Sequence, residues 1–197
     1  MHFRLTYSGP LLAHRDDKKL RERSLHVHAI RKAFHQQLKK LWKDHPILAN
    51  QEFNKMPVAG AQPIQDFVHD GFRWRPIVNE SNGLICALDI LLLREGPPGR
   101  ALHDVDNRLK TIFDALRKAK GPDELGAGTT QGMQTPSSDE DPLFVVMEDD
   151  KLITHLSVTT DMLLEPVPKV PPPDSARLVI DVTIRPYHVH IDNLAFT

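Results

Sequence analysis

The residues best placed to do chemistry are a few acids and one lysine. Asp104 and Asp106 stand two apart in the run Asp104-Val105-Asp106-Asn107. Two carboxylates this close repel each other unless a cation sits between them. The positive end of a helix relieves only part of that repulsion. A hard divalent ion such as Mg²⁺ takes oxygen ligands and keeps several waters, which suits two or three carboxylates in an open site. On its own the pair also reads as a helix N-cap followed by a surface acid. Lys110 and Asp114 follow Asp106 by four and eight residues, so on a helix all three share one face. A lysine one turn from a metal-binding carboxylate can neutralise a phosphate or stabilise developing charge. The same spacing also allows a plain ion pair with Asp106 or Asp114. Asp149-Asp150 is the third element, at a loop-to-strand junction. It would complete a carboxylate cluster if the fold carried it to the start of the Asp104 helix.

These residues need elements to hold them. Alternation of Phe3, Leu5 and Tyr7 with Arg4 and Thr6 predicts a strand over 2–8. Ile30, Phe34, Leu38 and Leu41 have helical spacing and predict a helix over 18–43, stopped by Pro46. Residues 45–70 read as irregular. Strands over 72–78 and 84–93 are separated by the polar turn Asn79-Glu80-Ser81-Asn82-Gly83, which predicts a hairpin. The second of them is apolar on both sides and belongs in the middle of its sheet. A helix is predicted over 105–120, with Asp104 as N-cap, Gly121 as terminator and Val105, Leu109, Ile112 and Leu116 as its buried stripe. Residues 121–142, rich in Gly, Ser and Thr and without hydrophobic periodicity, read as a flexible insertion. Strands are predicted over 143–147, 152–164 and 177–185. The pattern predicts one domain over residues 1–197 of α/β (α+β) class, a mixed β-sheet with helices packed on it.

Composition narrows the field. The chain has 197 residues, net charge −1 and a single cysteine, Cys86, in an apolar run that predicts a buried, inert thiol. No apolar run is long enough to span a membrane. The start Met1-His2-Phe3-Arg4 lacks the apolar core of a secretory signal, so a cytoplasmic protein is expected. Charge is unevenly spread. Residues 15–44 hold ten Lys or Arg against four acids, and residues 139–150 hold six acids and no Lys or Arg. One segment to grip phosphates and another to hold cations is one reading; a solvated helix face plus an acidic loop is the other.

The run D-V-D-N-R-L-K-T-I-F-D-A-L-R-K-A at 104–119, followed by E-D-D-K-L-I at 148–153, resembles the RusA family of crossover-junction endodeoxyribonucleases (Holliday junction resolvases). The family pattern is D-x-D-N-x-x-K, then D-A-L after three residues, then an Asp-Asp pair opening a strand. The resemblance implies a RusA-like fold and a Mg²⁺-dependent phosphodiesterase, with Mn²⁺ an alternative ion. It implies Asp104, Asp106 and Asp150 as catalytic metal ligands, Lys110 as the catalytic lysine, and Asp149 and Asn107 in support. Asp114 is expected to be structural. It further implies a homodimer nicking opposed strands of a four-way DNA junction, a pairing that matches the two-fold symmetry of the substrate. Arg15, Lys18, Lys19, Arg31, Lys32, Lys39 and Lys40 are the expected contacts to duplex arms. Alternatives are a nuclease for other branched DNA, a junction-binding protein without cleavage activity, and an interaction module using the 121–142 loop. The connection between the helix and the Asp-Asp pair is longer here than is usual in the family. His26-x-His28 and His188-x-His190 lack a nearby Cys partner and argue little for zinc. Trp42, Trp74 and Phe72 could stack on bases, though core packing is the stronger reading.

Overall fold

The computed structural model describes residues 1–13, 20–52, 63–95, 105–165, 167–170 and 174–197. Strand β1 (His2–Pro10) alternates as expected, with Phe3 and Leu5 buried. Helix α1 (Leu20–Asp44) presents Ile30, Phe34, Leu38 and Trp42 to the core, one residue per turn along a single stripe. Pro46 stops α1 but opens a second helix, α2 (Pro46–Glu52), because proline is well tolerated in a first turn. The expected irregular stretch therefore holds α2 and a short strand, β2 (Phe67–His69).

The strands β3 (Phe72–Val78) and β4 (Leu84–Arg94) are where expected, yet they are not a hairpin. The turn between them moves the chain from one sheet to another. β3 pairs antiparallel with β2 and parallel with β5 (Leu143–Met147). β4 pairs parallel with β6 (Ile153–Met162) and antiparallel with β7 (Ser175–Pro186). The larger sheet runs β1-β7-β4-β6 and the smaller β2-β3-β5. β4 is central, as its two-sided apolar run predicts. Among the described residues no helix is long and apolar enough to cross a membrane.

The main core lies between the larger sheet and α1 with α3 (Val105–Leu116). A second cluster, Phe72, Trp74, Ala119, Leu125, Leu143 and Val145, fills the space at the smaller sheet. Trp42, Trp74 and Phe72 are buried in these clusters, so base stacking by them is excluded. Cys86 is buried, and burial pushes its thiol up to about 12, which leaves it inert.

The segment 121–142 is not a loose loop. Leu125 is buried in the second core, and Gln134 N–H donates to the Leu125 carbonyl at 2.7 Å. Gly126 turns with φ 87°, and a β-carbon there would run into Leu25. At the far end Glu140 is buried, with its carboxylate 2.9 Å from Lys32. Composition gave no periodicity because turns and side-chain bonds, not a repeating face, hold this segment.

Arg31 is wholly buried, which corrects its expected role as a DNA contact. Its Nε donates to the Arg117 carbonyl at 3.0 Å and its Nη2 to the Asp114 carbonyl at 2.6 Å. These carbonyls lie at the C-terminal end of α3, where helical partners run out. The guanidinium lies 5.5 Å from the Trp74 ring centre, and its Nη1 donates to His28 Nδ1 at 3.2 Å. Burial pulls Arg31 down to about 10, low enough to mark the desolvation and high enough to keep the charge. Lys32 is paired to Glu140, Lys39 to Asp139 and Lys40 to Asp44. Arg15, Lys18 and Lys19 lie outside the described residues.

Two outcomes follow. Arg31→Met strands two helix-end carbonyls and a histidine nitrogen in the interior, and it should cost about 3 kcal/mol by urea unfolding. An unchanged midpoint would contradict this network. Secondly, burial and then the Arg31 and Lys32 charges hold His28 down to about 3. Its folded value lies below its unfolded one, so the unfolded chain binds the extra proton. Stability from this group is complete above about pH 6.5 and falls as pH drops from there toward 3, by up to about 1.4 kcal/mol per unit. His28→Asn should flatten that slope in unfolding measurements between pH 7 and 5.

Candidate metal and phosphate site

Helix α3 carries Asp106 and Lys110 one turn apart on its exposed side. Neither has a hydrogen-bond or ion-pair partner among the described residues, so the simple ion pairs allowed by their spacing are not formed. Asn107, beside them, is half-buried. Asp104, the expected N-cap and first metal ligand, lies outside the described residues. The opposite face of α3 is held by Ile112, Ala115 and Leu116 in the core, with Leu109 packed at its margin. Two buried polar residues anchor it further. Arg108 donates to the Leu11 carbonyl, and Thr111 Oγ1 donates to the Leu12 carbonyl at 3.0 Å. The first half of α3 is thereby tied to the end of β1.

Asp114 is structural, as expected. It pairs with Arg23 at 3.0 Å and with Arg117. α3 ends at Leu116 rather than at Lys120, because Arg31 takes the carbonyls of Asp114 and Arg117. Arg117 then bridges to Met147 in parallel fashion, and Lys118 N–H donates to the Met147 carbonyl at 3.1 Å.

That bridge fixes where Asp149-Asp150 lies. The pair follows Met147 after one residue, Glu148, so it sits past the C-terminal end of α3. Lys120 Nζ lies 3.4 Å from Asp149 and 3.5 Å from Asp150. Asp149 also caps the short turn that opens β6, accepting from Lys151 N–H at 3.1 Å. Glu148 accepts from Glu80 N–H at 3.3 Å, and Lys151 pairs with Glu80. Burial pushes the Asp149 carboxyl up, but the Lys151 amide, Asp150 and the Lys120 ammonium pull harder and leave it at about 2.

The two halves of the motif therefore occupy opposite ends of the molecule. From Asp106 to Arg117 is eleven helical steps, roughly 16 Å along the axis. The sheet gives an independent ruler. The first half of α3 is tied to Leu11, next to the Arg94 end of β4, since Leu11 N–H donates to the Asp174 carbonyl and Ala176 pairs with Arg94. Leu152, just after the acid pair, lies against Cys86. Eight strand steps separate Arg94 from Cys86, roughly 26 Å. Among the described residues no group of three or more His, Cys, Asp or Glu could hold a metal ion. The zinc reading of the paired histidines finds no partner set either.

The donor chemistry still suits a hard cation at each half. Asp106 is free and exposed, and at Asp149-Asp150 a cation already stands between the carboxylates in the form of the Lys120 ammonium. What one chain does not do is bring the halves together. Lys120 and Arg108 give no signal in the sequence, because a lysine at the expected end of a helix and an arginine within it look like ordinary surface residues. Comparison with protein-family models, with curated proteins and with solved structures finds no match for this chain.

Lys120→Gln should raise the Asp149 carboxyl from its depressed value, read by carbon NMR titration. Its contribution to stability is complete above about pH 4 and is lost as pH falls toward 2, so the variant should lose part of that acid-limb dependence, the Lys151 amide and Asp150 retaining the rest. An unmoved titration would mean that Lys120 does not hold the pair in solution.

Proposed function

We propose that this chain is a divalent-metal-dependent endonuclease for branched DNA, a four-way junction above all, working as a homodimer in the cytoplasm. The observation that carries the proposal is the exposed, unpartnered Asp106 and Lys110, one turn apart on a firmly anchored helix, inside the motif shared with the RusA-like resolvases. A free carboxylate and a free ammonium on one surface suit a metal ion and a phosphate. Asp106 with Asp104 would hold Mg²⁺ or Mn²⁺ on one side, and Asp150, supported by Asp149, on the other. When bound, such an ion activates water and neutralises phosphate charge. Lys110 would sit against the scissile phosphate and stabilise its developing charge.

The surface charge modifies the expected DNA grip. Lys32, Lys39 and Lys40 each have an acidic partner, and Arg31 is interior. Phosphate contacts are therefore fewer than the basic segment implies, and a shallower salt dependence follows. A second reading, junction binding without cleavage, gains from the separation of the two acidic halves in one chain.

The test is a panel of labelled four-way junction, flap and fork DNAs with Mg²⁺ or Mn²⁺. Asp106→Asn, Asp150→Asn and Lys110→Ala should each cut cleavage by about a hundredfold or more while leaving DNA binding in place. If Asp106→Asn cleaves as well as the unaltered chain, the nuclease assignment is wrong. Tight binding with no cutting under any divalent ion selects the second reading, and preference for flaps or forks selects the wider substrate class.

A further inference from the structure

The segment after β7 has a backbone that is held tightly and large side chains that are not. Tyr187 N–H donates to the Gly83 carbonyl at 2.8 Å, which carries the β4–β7 ladder one step past its last pair, Leu84 with Pro186. Asn193 fixes the turn that follows. It is wholly buried; its Nδ2 donates to the carbonyls of Asn82 and His188 at 2.9 Å each, and its Oδ1 accepts from His190 N–H at 2.9 Å. Phe196 beyond it is buried in the main core. Gly83, with φ 58°, admits this close approach, since a β-carbon there would lie 2.9 Å from His190 Nε2. Anchored in this way, the segment from Tyr187 to Ile191 does not need its apolar side chains to hold it, and it exposes them. Tyr187 is 68% exposed, Val189 63% and Ile191 47%. Exposed apolar groups on a rigidly held loop mark a binding surface.

The side chains define its occupant. Tyr187 stands edge-on to His188, ring centres 4.4 Å apart, and both residues are exposed. An aromatic face open to solvent takes a nucleobase of any identity by stacking. Arg185 comes two residues before Tyr187 in extended chain, so the two side chains lie on one face, roughly 7 Å apart. Arg185 is exposed and has no acidic partner among the described residues. An apolar partner would leave that charge without a counter-ion, whereas a polynucleotide supplies one with every residue. A single strand fits best, because in a duplex the base faces are already stacked on their neighbours.

The place of this surface ties it to the acidic pair. The turn at residues 79–83 touches both. Its Gly83 carbonyl holds Tyr187, and its Glu80 meets Glu148 and Lys151, which flank Asp149-Asp150. We propose that Tyr187, with Arg185 for the adjoining phosphate, is a stacking platform for an unpaired base of a DNA strand at the Asp149-Asp150 end of the molecule. This rests on the nuclease reading above and deepens it: the strand engaged there is single-stranded, as at the opened branch point of a branched DNA.

Fluorescence anisotropy with a labelled oligothymidylate, and with a blunt duplex of the same length, tests the platform. The unaltered chain should prefer the single strand. Tyr187→Ala should weaken single-strand binding about tenfold and leave duplex binding nearly unchanged. Tyr187→Phe and Tyr187→Trp should keep the affinity, because a π face remains. Thermal unfolding should not move in any of them, since the ring is exposed. Arg185→Gln should weaken binding and reduce its salt dependence by about one phosphate contact. Equal oligothymidylate affinity in Tyr187→Ala and the unaltered chain overturns the platform. So does a preference for the duplex, or a loss in Tyr187→Phe as large as in Tyr187→Ala, which would assign the effect to the hydroxyl. If Tyr187→Ala changes sedimentation and leaves DNA binding as it was, the surface meets protein and the proposal fails. The nuclease reading is judged apart. A chain that cuts no branched DNA, yet loses the oligothymidylate with Tyr187→Ala, keeps the platform and refutes the nuclease. A chain that cuts and binds alike with and without the Tyr187 ring keeps the nuclease and refutes the platform.

Discussion

The structure turns on one buried cation at the end of one helix. Arg31 reaches from the middle of α1 to the carbonyls of Asp114 and Arg117. Those carbonyls would otherwise face the interior without donors, a costly state in low dielectric. Satisfying them lets α3 end early and frees Arg117 to join β5. Arg117 in turn binds Glu124 in two places, at 2.8 and 3.0 Å, and Arg23 closes the set on Asp114. A full charge in the core is normally a liability. Here it is balanced by Asp114 and Glu124, faced by the Trp74 ring, and shared among three elements that have little else in common. The position of Asp149-Asp150 depends on this knot, because the Arg117–Met147 bridge sets where β5 delivers the chain.

Charge patterning along the sequence has a different meaning from the one its segments suggest. The basic stretch in α1 and the acidic stretch before β5 are largely partners of each other. Lys32 meets Glu140, and Lys39 meets Asp139, which also accepts from Gln36 at 2.7 Å. Asp141 takes Arg73 at 2.8 Å. His35 adds a neutral strap. Its Nδ1 accepts from Phe144 N–H, so its Nε2 carries the proton toward the Asp139 carbonyl at 3.1 Å. Exposed pairs of this kind contribute little singly. Together they pin residues 137–144 against α1 and β3, while Glu148, Asp149 and Asp150 find their partners elsewhere, in the Glu80 amide, the Lys151 amide and the Lys120 ammonium.

Much of the fold was legible because burial has a period. Ile30, Phe34 and Leu38 announced α1, and Phe3 and Leu5 announced β1. Strands β4 and β7 followed from their apolar runs, and the central place of β4 followed from its two apolar faces. Partnering was less legible. The turn at residues 79–83 looks like a hairpin loop, yet it passes the chain between sheets, because nothing local distinguishes a turn that folds back from one that crosses over. The 121–142 segment looked loose because its order comes from single side chains such as Leu125 and Glu124. For the site, the motif named Asp106, Lys110 and Asp150, and the α3 spacing placed two of them on one exposed face. Whether Asp150 would join them was decided by α3 itself, whose length no motif encodes as a distance.

That length sets a physical condition on any chemistry proposed for the motif. A carboxylate reaches a shared ion over a few ångströms, whereas α3 holds the halves apart by roughly four times that or more. The helix cannot bend to close the gap. Its inner face is packed against the core, its first half is tied to Leu11 and Leu12 by Arg108 and Thr111, and its end is tied to Arg31. The rigidity that fixes Asp106 and Lys110 in a useful orientation is the same rigidity that denies them Asp150 in their own chain. On the nuclease reading, Asp106 and Lys110 would act at one end of α3 and Asp149-Asp150 at the other, where the Lys120 ammonium stands between the two carboxylates.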